Sequence, residues 1–183
     1  EFKIQNDSLY YSIETPTVHK YSFGKSFADI KVSNIGQSAL IDMIIFEKDT
    51  SNYKRIYNIE FKHANCELKS IAKDIFKLIH EKEDGAFIIL LDNTNKGTLC
   101  NKDTTGIMNK FHKSFKSYKD KWNPNKKSIL LVIMSLNQGI MISQEINNGN
   151  LPDLDTIFFE NCGCGDIEMI QNNGWAKYST PKK

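Results

Sequence analysis

Asp42, Glu60 and Lys62 are the residues of this sequence whose types and spacing could do chemistry together. Asp42 interrupts the apolar run 39–46 (ALIDMIIF), and Glu60 and Lys62 close the run 55–62 (RIYNIEFK). In an extended chain alternate side chains share a face, so Glu60 and Lys62 project together and Phe61 projects away from them. Two carboxylates brought ~4 Å apart repel by roughly 4 kcal/mol at an effective dielectric near 20, so Asp42 beside Glu60 calls for a cation. A hard, oxygen-preferring ion, Mg²⁺ or Mn²⁺, suits such a pair. The competing reading is that each acid marks a solvent-facing strand edge.

Two adjacent strands must position these groups. The runs 39–46 and 55–62 are rich in branched and aromatic residues, and the polar stretch 47–54 between them reads as a hairpin loop. After Lys62, residues 67–82 carry helical periodicity, with Leu68, Ile71, Ala72, Ile75, Leu78 and Ile79 on one stripe. Lys69, Lys73 and Lys77 share another face. A solvated stripe is expected for Lys77, whereas Lys69 and Lys73 could reach a substrate phosphate. The run 86–91 (AFIILL) reads as a strand buried on both faces, so strand, helix and strand imply a right-handed crossover.

The order of acid-bearing strand, loop, Glu-x-Lys strand and helix resembles the signature of the PD-(D/E)xK, or restriction-endonuclease-like, nuclease superfamily. The resemblance covers about residues 27–93, with an extension to 136, and Ile41 stands where the signature has proline. It implies an α/β fold whose mixed central sheet combines an antiparallel meander with parallel crossover strands, flanked by helices. It also implies a Mg²⁺- or Mn²⁺-dependent nuclease acting on nucleic acid, DNA before RNA, and leaving a 5′-phosphate. Asp42 and Glu60 would hold the ion with the backbone carbonyl of Phe61, and Lys62 would position the attacking water. An acid from an earlier segment sometimes joins such sites, which makes Glu14 an extra candidate and His19 a further one. Restriction, defence against phage, repair and nuclease-effector roles all belong to the family.

The sequence has 183 residues, 40% of them hydrophobic and 11% aromatic, which suits one domain with a real core, about 27–136 of it forming the nuclease-like part. A net charge of +2 does not by itself indicate a polyanionic partner. Arg55 is the single arginine, so bidentate reading of guanine is nearly absent, while lysine suits phosphate contact without sequence readout. Residues 104–122 read as a second helix, with Ile107, Met108, Phe111, Phe115, Tyr118 and Trp122 inward. Lys110, Lys113, Lys116, Lys119 and Lys121 crowd the outer side, a candidate phosphate-tracking surface. No stretch is long and apolar enough for a membrane span and no signal peptide opens the chain, which makes the cytoplasm the default setting. The chain begins at Glu1, as a fragment of a longer protein would, so upstream domains or a homodimer are possible partners.

The remaining signals are weaker. Residues 8–13 read as a short strand or a helix end broken by Thr15-Pro16-Thr17, and 27–32 as a first strand whose Asp29 rivals Asp42. The loop 92–103 is long and polar. Residues 128–136 read as another buried strand, 139–143 and 156–159 as further strands, and Cys162 and Cys164 as free thiols in a loop. No phosphate-binding glycine loop and no nucleophile elbow is present. Two other classes fit the same sequence: a nuclease-like module that binds nucleic acid or protein without catalysis, and an interaction domain in which Asp42 never meets Glu60 or Lys62.

Overall fold

The computed structural model describes residues 8–101, 105–126, 128–159 and 174–179. Their strands form one mixed sheet of eight, β1 (Leu9–Phe23), β2 (Ile30–Val32), β3 (Gln37–Asp49), β4 (Asn52–His63), β5 (Asp84–Leu91), β6 (Ser128–Ser135), β7 (Ile140–Asn147) and β8 (Ala176–Ser179), in the order β2-β1-β3-β4-β5-β6-β7-β8. β1, β3 and β4 make an antiparallel meander, β4, β5 and β6 run parallel, and β7 and β8 return antiparallel. The α-helices of the described residues are α1 (Leu68–His80), α2 (Lys96–Cys100), α3 (Ile107–Tyr118) and α4 (Leu154–Phe159). An α/β fold with a mixed sheet is therefore present.

β4 is where the antiparallel half of the sheet meets the parallel half. The crossovers β4-α1-β5 and β5-α3-β6 advance in the same direction across the sheet, so right-handed connection puts both on one face. There α1, α3 and α4 pack with Phe87, Ile89, Leu131, Ile133 and Ile142 into a core centred on Phe76, Phe111, Phe115 and Phe158. The opposite face receives no helix from the described residues, and it leaves Tyr11, Ile13, Phe61 and Tyr178 exposed.

Three contacts fix α1 over the sheet. Gly85 is needed because a Cβ there would lie 2.6 Å from the Asn58 carbonyl oxygen and 2.9 Å from Leu78 Cδ2. Past the last turn of α1, the fully buried Glu81 carboxylate accepts from Val18 N–H and His19 N–H at 3.1 Å each and from the Tyr21 hydroxyl at 3.0 Å. This ties the helix to β1. At the other end Lys69 Nζ donates to the carbonyl oxygens of Gly24 and Lys25 at 2.6 and 2.9 Å.

The structure differs from the sequence expectations in several elements. β1 runs as a 15-residue strand through Thr15-Pro16-Thr17. Pro16 pairs only with Leu40 of β3, and β2 covers β1 only from Tyr21 to Phe23, so the missing N–H falls on an open edge. Only Ile30–Val32 of the expected first strand is extended, since Phe27–Asp29 is a 3-10 turn. Residues 156–159 belong to α4 rather than a strand, because Leu154, Ile157 and Phe158 recur at helical spacing and bury against α3. The strand expected at 139–143 extends as β7 to Asn147, and the loop 92–103 contains α2, capped by the Asn95 side chain accepting from Thr98 N–H at 2.9 Å. Cys162 and Cys164 lie outside the described residues. Cys100 is disulfide-bonded, a bond that persists in oxidising surroundings, and Cys66 is a free, half-buried thiol.

Candidate functional site

The antiparallel register of β3 on β4 pairs Met43 with Ile59 and Ile44 with Asn58, so the next position sets Asp42 across from Glu60. Opposed residues of antiparallel strands share a face, and Lys62 joins them two places along β4. Asp42 is half-buried, and its Oδ2 accepts from Phe61 N–H at 2.7 Å. Glu60 is fully buried. Lys62 keeps a side-chain exposure of 20% and forms a close ion pair with Asp74 Oδ2.

Asp74 and Lys77, both from α1, complete the cluster. They are 1% and 3% exposed. Lys77 Nζ lies 2.5 Å from Glu60 Oε1 and 2.9 Å from Asp74 Oδ1, and it donates to the Leu40 carbonyl oxygen at 2.7 Å. Glu60 and Asp74 thus set two buried carboxyl groups against the ammonium groups of Lys62 and Lys77. Such closure is what makes the burial tolerable, since an unpaired ion in this position costs several kcal/mol, on the order of 3–5. Glu60 Oε2 has no hydrogen-bond partner among the described residues.

The electrostatics follow from this packing. Burial, then the charges of Asp74 and Asp42, push the Glu60 carboxyl well above the usual range against the opposing pull of Lys77. Burial pulls the Lys62 ammonium down, but the charge of Asp74 and its hydrogen bond, with Glu60 and Asp42 behind, carry it above its ordinary value. Lys62 is therefore a fixed cation at neutral pH and is unsuited to taking up a proton.

Glu14 falls between Ile13, paired with Met43, and Thr15, paired with Ile41, so its register position on β1 faces Asp42. It is exposed, and its φ of 48° lies in the left-handed region, a local strain in a non-glycine residue. His19 is engaged elsewhere, with Nδ1 3.2 Å from Glu81 Oε1. Asp29 accepts from Ser26 N–H and from the Ser26 hydroxyl, both at 2.7 Å, and these bonds hold its carboxyl below the usual range; it closes its own turn. Among the described residues no three His, Cys, Asp or Glu side chains gather closely enough to hold a metal ion.

The lysines named from the sequence separate into two groups. Lys110 is 6% exposed, not on the outer side of α3; its Nζ donates to Asn65 Oδ1 at 2.6 Å and to the Cys66 carbonyl oxygen at 2.7 Å. Lys69 is bound to two carbonyl oxygens as described above. Lys73 lies over the Phe23 ring at 5.5 Å from its centroid, Lys113 is half-buried and Lys116 is exposed. Beyond β4, the exposed His63 Nε2 and Asp92 Oδ1 are 3.0 Å apart at the carboxyl end of the parallel strands.

A cavity of about 420 Å³ opens at the opposite end of these strands, lined by Val18, His19, Arg55, Glu81, Glu83 and Asn123 among others. Its lining reaches Glu81, whose N–H donates to the Lys77 carbonyl oxygen one turn past the charged cluster.

Asp74 and Lys77 are the members that sequence reasoning missed. Lys77 was expected on a solvated lysine stripe. It is buried because α1 is covered by the sheet on one side and α3 on another, leaving eight buried residues in the helix, Asp74 and Lys77 among them. The readable signal was the i, i+3 spacing of Asp74 and Lys77 across the run Ile75-Phe76-Lys77-Leu78-Ile79, too apolar for a solvated face.

No family model, curated protein or solved structure matches the chain.

Proposed function

We propose that the chain is a metal-dependent phosphodiesterase that hydrolyses nucleic acid, DNA in preference to RNA, at the cluster around Asp42, Glu60 and Lys62. The observation that carries this reading is the convergence of those three side chains on one sheet face, where β4 hands over to the crossover helix. The resemblance to PD-(D/E)xK nucleases rests on the same residues and on the meander-crossover order around them.

The donor set suits Mg²⁺ or Mn²⁺. Glu60 Oε2 is buried without a hydrogen-bond partner, Asp42 engages one oxygen with a backbone N–H, and the Phe61 carbonyl directly follows Glu60 in the chain. These are hard oxygen donors, and Mg²⁺ typically takes one or two carboxylates and completes its shell with water and phosphate. A bound ion would supply Lewis acidity to the scissile phosphoryl oxygen. Asp42 and Glu60 hold the carboxylate side of that arrangement, and the Phe61 N–H orients Asp42. Lys62, fixed by Asp74 and held protonated, faces the charge that grows on the phosphate, preorganised help worth about 3 kcal/mol. Lys73, Lys113 and Lys116 would contact backbone phosphates.

The test is cleavage of plasmid and single-stranded DNA with Mg²⁺ or Mn²⁺ by the unaltered protein, Lys62→Ala and Asp42→Ala. Metal-dependent cutting lost in both variants is the expected result, and cutting that survives both changes would remove the site. A second reading is favoured by the Lys77–Glu60 ion pair, which already neutralises the buried acid. In it the domain binds nucleic acid without cleaving it, with the same affinity whether or not Mg²⁺ is present.

A further inference from the structure

We infer that Lys77 is the resident cation of the candidate metal site, and that divalent metal enters by exchanging with its ammonium at Glu60. This rests on the proposed reading of Asp42 and Glu60 as metal ligands, and it adds a role for α1 that the three-residue signature does not contain.

Lys77 is placed for exchange rather than for a single pairing. Its Nζ touches three oxygens, pairing with Glu60 Oε1 at 2.5 Å and Asp74 Oδ1 at 2.9 Å and donating to the Leu40 carbonyl oxygen at 2.7 Å. Giving up Glu60 leaves it on Asp74 and Leu40, so the ammonium is never buried without partners, the condition that makes most buried ion pairs costly to open. Glu60 in turn keeps a second oxygen with no hydrogen-bond partner among the described residues. Asp74 meanwhile stays bound to Lys62.

Charge balance gives the consequence. Lys62 and Lys77 already face the carboxyl groups of Asp42, Glu60 and Asp74, so even with all three acids ionised a divalent ion entering between Glu60 and Asp42 would leave the cluster with excess positive charge. An anionic phosphodiester relieves that excess. Metal alone therefore binds weakly, and metal with nucleic acid binds well. Lys77 acts here as a positioning residue that sets metal affinity through Glu60.

The experiment counts free Mn²⁺ by its electron paramagnetic resonance signal during titration of folded protein without nucleic acid. The variant Lys77→Met with Asp74→Asn removes one charge of each sign and leaves the net charge of the cluster unchanged. It should bind one Mn²⁺ at least tenfold more tightly than the unaltered chain, and adding Glu60→Gln should erase the gain. Lys77→Arg, which keeps the charge and grips Glu60 with a planar fork, should weaken Mn²⁺ binding severalfold. If the double variant does not fold, the Lys77→Arg comparison stands by itself. Equal Mn²⁺ affinity across the folded proteins, or no binding by any of them, overturns the inference. Because the readout is metal binding, cleavage by the unaltered protein with no gain in Mn²⁺ affinity sinks this inference alone. A gain in affinity with no cleavage sinks the nuclease reading alone.

Discussion

Asp74→Ala removes the one acid that touches both buried lysines. Asp74 is 1% exposed, and its two oxygens serve Lys62 and, at 2.9 Å, Lys77. At that separation the gross attraction to Lys77 is roughly 6 kcal/mol at an effective dielectric near 20, most of it offset by the loss of water around both ions. What remains on truncation is the cost of a poorly compensated positive charge, since Glu60 and the more distant Asp42 must then answer two ammonium groups. Removing one partner of a buried pair typically costs about 3–5 kcal/mol. The lower end applies here, because Lys77 retains Glu60 and Leu40 and Lys62 can reach water. For a domain of this length about 3 kcal/mol corresponds to a fall of roughly 6–12 °C in Tm. Urea denaturation and thermal melting measure it, with the exposed Asp120→Ala as a control expected within about 0.5 kcal/mol of the unaltered protein. An Asp74→Ala protein that matches the control would show that the four buried charges do not form a closed cluster, and the exchange argument for Lys77 would fall with it.

Thr50 sits in the tight turn between Asp49 and Asn52 with φ of 49°, so Thr50→Gly should raise stability by about 1 kcal/mol in urea melts; a loss would mean the turn is not left-handed. Burial lowers the Lys126 ammonium from its ordinary value of 10.5 to about 8. Between those values the unfolded chain binds more protons than the folded one, so this group makes stability rise with pH from about 8 toward 10 and weakens the fold below 8. Subtracting the pH-stability curve of Lys126→Met should isolate that rise, and a flat difference would refute it. Lys113→Glu with Lys116→Glu should weaken nucleic-acid binding and reduce the salt slope by roughly one unit per lost phosphate contact, read by fluorescence anisotropy at several salt concentrations; an unchanged slope would take α3 out of the interface.

The sequence expressed the site along the strands far better than across the layers. Alternation in 55–62 put Glu60 and Lys62 on one face, and the apolar run 86–91 marked the crossover, because both are local consequences of backbone geometry. Lys77 and Lys110 were misjudged for a common reason. Lysine on a helix signals solvent only if the helix has a free side, and α1 and α3 pack against each other as well as against neighbouring elements. Their burial depends on distant acceptors, Leu40 and Glu60 for one and Asn65 and Cys66 for the other, which no window along the chain contains. Pro16 misled in the opposite sense. It looked like a strand breaker, but the unfilled edge of β1 gives its missing donor nowhere it is needed.

The seam at β4 also sets an order on how the molecule becomes itself. Asp42, Glu60 and Lys62 leave the ribosome with the meander, but their counter-charges follow in α1, and the strand that completes the crossover, β5, comes later still. At about 5–20 residues per second the interval from Lys62 to Leu91 lasts roughly two to six seconds. Docking of α1 then lays Asp74 and Lys77 onto the three groups that the β3–β4 hairpin already holds on one face.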